Sequence, residues 1–257
     1  MRELVHGLQL PEALRSDGAG LYFSDAIAGG VHRWTDAGVE TVIPKRRGVG
    51  GIAFHADGGV VASGRTLIHA RNGETRELFS ADGALGLNDL TVDAGRVLVG
   101  ALRTSWAKPE SGSPGEVWRI GGPAAHELLG DVTYPNGIGF SPNGALLYVA
   151  DFVGACVHEL ELNTGRRRVL AALERGNADG LAVDAEGRVW VATGSGDSFD
   201  VFDPRGGLVE RLAAPASFAV TLCFGGEDGR DLFLAAGGCV FRTRSEVPGL
   251  AVPAARV

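Results

Sequence analysis

Apolar residues in this chain come in short alternating runs, broken by turns rich in Asp, Asn and Gly, and nowhere hold a helical period. The pattern repeats six times. An apolar pair, a polar turn and a second apolar strand recur over residues 12–25, 51–64, 89–102, 137–151, 180–194 and 221–237. Registering the phrases on Ala13, Ile52, Leu90, Ile138, Leu181 and Leu222 gives spacings of 39, 38, 48, 43 and 41 residues. Periods of this size mark propellers and solenoids. Val60-Val61-Ala62, Val97-Leu98-Val99, Leu147-Tyr148-Val149 and Val189-Trp190-Val191-Ala192 are strand-like in composition and length. Turns at Asp57-Gly58-Gly59, Pro142-Asn143-Gly144 and Glu186-Gly187 predict hairpins. A third apolar run follows in most units, as at Val31–Trp34, Leu67–Ala70 and Val157–Leu160. Four strands in about forty residues make one propeller blade. The expectation is an all-β, six-bladed propeller occupying residues 1–257 as one domain, with one core per blade. The alternating stretch Glu3–Leu8 is the candidate to close the ring, by pairing with the blade that holds Phe233 and Val240-Phe241. Pro248 and Pro253 make closure by the C-terminal segment the weaker option.

Composition narrows the partners. With 24 basic and 31 acidic residues the net charge is −7, which argues against nucleic acid and against an anionic membrane surface. The basic runs Lys45-Arg46-Arg47 and Arg166-Arg167-Arg168 read as solvated loops or strand edges. Three widely spaced cysteines, Cys156, Cys223 and Cys239, form neither a disulfide framework nor a zinc pattern and read as buried free thiols. No run is long enough for a signal peptide or a membrane span, so the expected location is the cytoplasm.

A propeller places the start of each innermost strand at one mouth of its central channel. The two residues before each register position are Pro11-Glu12, Gly50-Gly51, Asn88-Asp89, Asn136-Gly137, Asp179-Gly180 and Val220-Thr221. Glu12, Asn88, Asn136 and Asp179 therefore converge although far apart in sequence. Like charges held close in a partly dry channel are unfavourable unless neutralised. A divalent cation would match Glu12 plus Asp179. An all-oxygen donor set favours calcium first, then magnesium or manganese, with zinc and ferrous iron less suited. Taken singly, Asn136-Gly137 and Asp179-Gly180 are ordinary turn dipeptides.

The phrases Pro135–Phe152 and Ala178–Ala192, with Gly86–Asp93 and Gly115–Ile120 between blades, resemble the SMP-30/gluconolactonase/luciferin-regenerating-enzyme-like family. The likeness runs from Pro11-Glu12 to Cys223–Gly226. It implies a six-bladed propeller with one axial metal ion on Glu12, Asn136 and Asp179, and substrate contacts from Asn88 and Asp89. Sugar-lactone-hydrolysing relatives commonly carry an arginine two residues before that Asn. Here the position is Gly86, so Arg103 or Lys108 is expected to supply a cation for substrate. The implied activity is metal-assisted opening of a small lactone, with Asp179 as general base. The alternatives are ester or phosphotriester hydrolysis or a biosynthetic cyclisation on the same metal, or a non-catalytic binding propeller. The expected partner is a small molecule, for a monomer or small homo-oligomer. Phe152, Phe218 and Trp106 are candidates to shape the rim. Ser105–Lys108 matches an acyl-transfer serine pattern but lacks the helix that pattern needs. His32, His69 and His158 recur at equivalent strand positions and read as structural.

Overall fold

The computed structural model describes residues 1–257 and contains six four-stranded antiparallel sheets arranged as propeller blades. A first strand, β1 (Arg2–Val5), precedes the first full blade. Blade one is β2 (Pro11–Ser16), β3 (Leu21–Asp25), β4 (Gly30–Thr35) and β5 (Gly38–Pro44). Blade two is β6 (Ile52–Phe54), β7 (Val60–Ala62), β8 (Leu67–Arg71) and β9 (Glu74–Phe79). Blade three is β10 (Gly86–Asp93), β11 (Arg96–Leu102), β12 (Gly115–Ile120) and β13 (His126–Val132). Blade four is β14 (Pro135–Phe140), β15 (Leu146–Asp151), β16 (Cys156–Glu161) and β17 (Arg167–Ala172). Blade five is β18 (Leu181–Val183), β19 (Val189–Ala192), β20 (Ser198–Phe202) and β21 (Leu208–Ala213). Blade six is β22 (Ala219–Gly225), β23 (Asp231–Ala236) and β24 (Cys239–Arg244), completed by β1. All six register residues fall on innermost strands.

Closure uses the N-terminus. Arg2, Glu3 and Val5 pair with Arg242, Phe241 and Val240 of β24. The C-terminal segment does something else. It crosses the back of the ring, where Leu250 N–H donates to Val183 O, Ala255 N–H to Phe54 O and Arg256 N–H to Gly95 O. Those acceptors lie at the far ends of inner strands or the turns beyond them, so the tail covers the rear of the channel. Its prolines suit a segment that forms no ladder.

The expectation of one core per blade is corrected. Six apolar clusters are present, and each spans two neighbouring blades. Leu21, Phe23 and Trp34 of blade one, for example, pack on Val220, Phe233 and Val240 of blade six. Strands buried on both faces against neighbouring sheets read as apolar runs rather than strict alternation. That is why Val60–Ala62 and Val189–Ala192 are buried throughout.

Outer strands behave as edges. Lys45, Arg47 and Arg168 are exposed, as solvated positions should be, but Arg46 and Arg167 correct that reading. Both are half-buried, Arg46 donating to Ser63 O and Thr66 O and Arg167 to Gly130 O and Asp131 O, because each guanidinium reaches carbonyls of the next or preceding blade. Cys156 and Cys223 are buried free thiols, but Cys239 is only partly buried, because it sits at the turn that opens β24. No helix is long and apolar enough to cross a membrane.

Deleting residues 1–6 strips β24 of its partner and uncovers part of the seam between blades six and one. The expected outcome is a melting temperature lower by about 5 °C or more in calorimetry. An unchanged value would show that closure by β1 contributes nothing.

Candidate active site at the front of the channel

Each residue of the predicted ring sits where an inner strand begins, and three of those starts are irregular. In blade one, register slips after Glu12, which faces Ser24, and Ala13 takes a left-handed φ of 56°. In blade three, Asn88 and Asp89 fall in the slip between Leu87 and Leu90. In blade four, Asn136 and Gly137 fall in the slip between Pro135 and Ile138. A bulge unpairs a residue from the ladder and re-aims its side chain. Here the bulges turn side chains inward that a regular strand would direct into the seams between blades.

Blade two carries glycines at these positions for a steric reason. A Cβ on Gly50 would lie 2.1 Å from Asn88 Oδ1 and one on Gly51 2.4 Å from Leu90 N, and in blade four one on Gly137 would likewise lie 2.2 Å from Leu181 N. The inner strands approach too closely for a side chain there.

Glu12, Asn136 and Asp179 are all buried. Asn136 Nδ2 donates to Asp179 Oδ1 at 2.5 Å, which joins blades four and five directly. Burial raises the Glu12 carboxyl well above its usual range, and the nearby charges of Asp179 and Asp89 raise it further. Burial also raises Asp179, opposed by the Asn136 hydrogen bond and reinforced by Asp89. No Lys or Arg pairs with either carboxylate. The sequence reading missed Tyr134. Burial raises its phenol, and the charges of Glu12 and Asp179 add to that, so it lies beside the pair. Its ring packs on Phe152 at 5.8 Å between centroids. The only sequence signal was an aromatic residue directly before Pro135-Asn136.

Asn88 Nδ2 donates to Pro135 O at 3.0 Å, which orients its amide between blades three and four. Asp89 lies behind it and lines a cavity of about 450 Å³ between the ring and the C-terminal tail. The cavity leaves Asp89 part of its surface, yet it is deep among protein atoms. Burial drives its carboxyl up to about 7, opposed by the Arg15 charge and by the backbone N–H groups of Leu90 and Ile138.

Arg103 does not stand free for substrate. Its guanidinium forks onto Glu116, with Nη2 at 2.6 Å from Oε1, and donates through Nη1 to Asp82 O. All three of its nitrogens already have partners, because the buried Glu116 needs a counter-charge. Lys108 is exposed on the same loop, and Trp106 beside it is 64% exposed. Phe218 is 38% exposed and held at φ 60°, where its N–H donates to Asp197 Oδ1 at 2.6 Å. A phenylalanine in that region is strained. It directly precedes β22, the innermost strand of blade six.

The donor chemistry fits a hard cation. Two buried carboxylates without a basic partner converge with the Asn136 amide, and all offer oxygen. Nowhere in the chain do three or more His, Cys, Asp or Glu side chains gather as a metal group, so a cation here needs the amide as well. The histidines lie elsewhere. His55 and His69 stack at 4.0 Å, with His55 Nε2 beside Val257 O at the back face.

Asp89 generates a pH prediction. Its carboxyl is raised in the folded chain, so the fold holds a proton that the unfolded chain has released. Stability therefore falls as pH rises from about 4 to 7, and the deficit is complete above that window. In chelator, Asp89→Asn is expected to raise the melting temperature by about 5 °C at pH 8 and to leave it unchanged at pH 4. Equal shifts at both pH values would refute the burial argument.

Residues 10–238 match the SMP-30/Gluconolactonase/LRE-like region. The 6-deoxy-6-sulfogluconolactonase of Pseudomonas putida is 30% identical, over 91% of this chain and 89% of its own. The pentonolactonase XacC of Haloferax volcanii is 26% identical, over 85% and 77% respectively. A solved structure described as a calcium-binding protein, regucalcin, from Agrobacterium tumefaciens superposes with a TM-score of 0.88 at 20% identity, covering 100% of this chain and 97% of that one. With its axial Glu12, Asn136 and Asp179 on a six-bladed ring, this chain belongs to the SMP-30/gluconolactonase/LRE-like family.

Proposed function

We propose that the chain is a hydrolase of carboxylic ester bonds, a lactonase that opens a small lactone with the help of one divalent cation. The observation that carries this is the pairing of buried Glu12 and Asp179 without a basic partner, at the front mouth of the channel. Glu12, Asn136 and Asp179 would hold the cation, calcium being favoured by the oxygen donors. When bound, it supplies positive charge to stabilise the oxyanion that forms as water adds to the lactone carbonyl.

The chain's own residues do the rest. Asp179 takes a proton from the attacking water, and the carbon–oxygen bond of the ring then breaks. The departing ring oxygen receives that proton, which gives a hydroxy acid. Asp179 suits the first step best, since a carboxylate beside a cation is a base at neutral pH. Asn88, fixed by Pro135 O, orients substrate or water through its remaining amide oxygen. Tyr134, Phe152 and Phe218 give the mouth apolar walls that exclude bulk water.

The relatives supply the substrate class. A sulfogluconolactonase and a pentonolactonase both act on sugar-derived lactones, as their names state. With Gly86 in place of the relatives' arginine and Arg103 bonded to Glu116 and Asp82 O, an arginine grip on substrate oxygens from blade three is weaker in this reading. The location read from the sequence, the cytoplasm, accords with the free thiols of Cys156 and Cys223.

Asp179→Asn, nearly isosteric, is expected to lower kcat about a thousandfold across a lactone panel while the circular dichroism spectrum stays unchanged. Wild-type rates in that variant would remove Asp179 as base. Glu12→Gln is expected to weaken cation affinity first, so that excess calcium restores much of its rate. Hydrolysis unaffected by chelator in the wild type would refute the cation's part.

A further inference from the structure

Two buried carboxylates outside the ring have no role in the chemistry above. Asp25 ends β3 and Asp151 ends β15, and their Cα partners are Pro11 and Pro135. Asp25 Oδ2 accepts from Gln9 N–H at 2.8 Å, and Oδ1 from Leu10 N–H at 3.3 Å and Ala28 N–H at 2.9 Å. Asp151 repeats the arrangement. Its Oδ2 accepts from Thr133 N–H at 2.8 Å, and Oδ1 from Tyr134 N–H at 3.0 Å and Gly154 N–H at 2.9 Å. The backbone answers in kind, with Ala26 N–H on Leu10 O and Phe152 N–H on Tyr134 O. Each carboxylate thus seizes the two N–H groups just before a proline, and the residue after that proline is Glu12 or Asn136.

We infer that Asp25 and Asp151 are positioning residues that set the cation-binding geometry of Glu12 and Asn136. The inference rests on reading those two side chains as cation ligands. Its physical basis is local. The approach segments before Pro11 and Pro135 lie outside the strands, and each proline has no N–H with which to anchor itself. Glu12 is the last paired residue before a register slip and Asn136 lies inside one, so the ladder holds the first on one side only and the second not at all. On its upstream side each segment is tied down by the carboxylate and by one backbone hydrogen bond, and the carboxylate supplies the acceptors for both of its N–H groups.

The distribution of the device supports the role. At the equivalent position the other blades carry Gly64, Ala101, Thr193 and Ala236. Aspartate occurs only in blades one and four, which lie opposite each other in a six-bladed ring. Their two ligands therefore reach the axis from opposite sides, and each needs its own brace. The sequence carries the same phrase twice, Leu21-Tyr22-x-x-Asp25 and Leu147-Tyr148-x-x-Asp151, each followed by Val-His at Val31-His32 and Val157-His158. His158 Nε2 lies 3.5 Å from Asp151 Oδ2. Burial alone would raise the Asp151 carboxyl, but His158 and the backbone donors pull it down to about 2, so the brace stays ionised. In blade two the hydroxyl of Ser63, one residue earlier than the aspartate position, instead accepts from the strand-start Gly50 N–H and Gly51 N–H.

Asp25→Asn and Asp151→Asn each replace one acceptor oxygen with an NH2 that faces a backbone donor. The test is calcium affinity by calorimetry on the full chain, at a temperature where circular dichroism shows every variant folded. The control is Asp231→Asn, which breaks a buried carboxylate bonded to Arg244 at the back of blade six. Expected are dissociation constants raised about 10- to 100-fold for Asp25→Asn and Asp151→Asn, and changed less than twofold for the control. Asp25→Ser and Asp151→Ser keep one acceptor and should fall between, and they serve if the Asn variants do not fold. Wild-type affinity in the clamp variants, or equal weakening in the control, overturns the inference and leaves the proposed function standing. A wild type that binds no divalent cation overturns both.

Discussion

The apolar seams between neighbouring blades are the constraint from which the rest follows. Because every cluster draws on two sheets, no blade buries its own faces, and the array must close on itself. Closure then forces six inner strands to start around one axis. Glu12, Asn136 and Asp179 meet there because the seams hold the sheets in a ring, and not through any affinity for one another.

That convergence is electrostatically unfavourable until something answers it. Burial and mutual repulsion raise Glu12 and Asp179, and Asp89 behind them adds to the field. A bound cation of the kind proposed would convert this cost into binding energy and so link stability to cation affinity in one equilibrium. The surrounding structure accommodates the crowding with glycine. Gly50 leaves space for the Asn88 amide, and Gly137 lets blades four and five close enough for Asn136 to reach Asp179.

The two faces of the channel are specialised. The front carries the bulged strand starts, the exposed Trp106 and the strained Phe218, whereas the back is crossed by the C-terminal tail. The tail therefore leaves the front as the face from which Glu12, Asn136 and Asp179 would be reached in the proposed reaction. The repeat makes this economical: equivalent strand starts in different blades hold a carboxylate, an amide or glycine. Asp25 and Asp151 hold the segments that lead to Glu12 and Asn136, while Ser63 bonds the glycines of blade two.

The six-fold repeat, the strand positions and the ring of Glu12, Asn88, Asn136 and Asp179 were legible in the sequence, because period and register are one-dimensional properties. The N-terminal closing strand was legible too, from its alternation. What needed the tertiary structure involves partners distant along the chain. The core lies between blades because each strand's second face meets a sheet some forty residues away. Arg103 is held by Glu116 because the two strands they border are paired, and a free cation at that position was an expectation only coordinates could correct. Tyr134, the bulges that aim the ligands and the aspartates that hold the approach segments depend on hydrogen bonds across blade strands. Local composition specified the elements; long-range packing decided what each side chain faces.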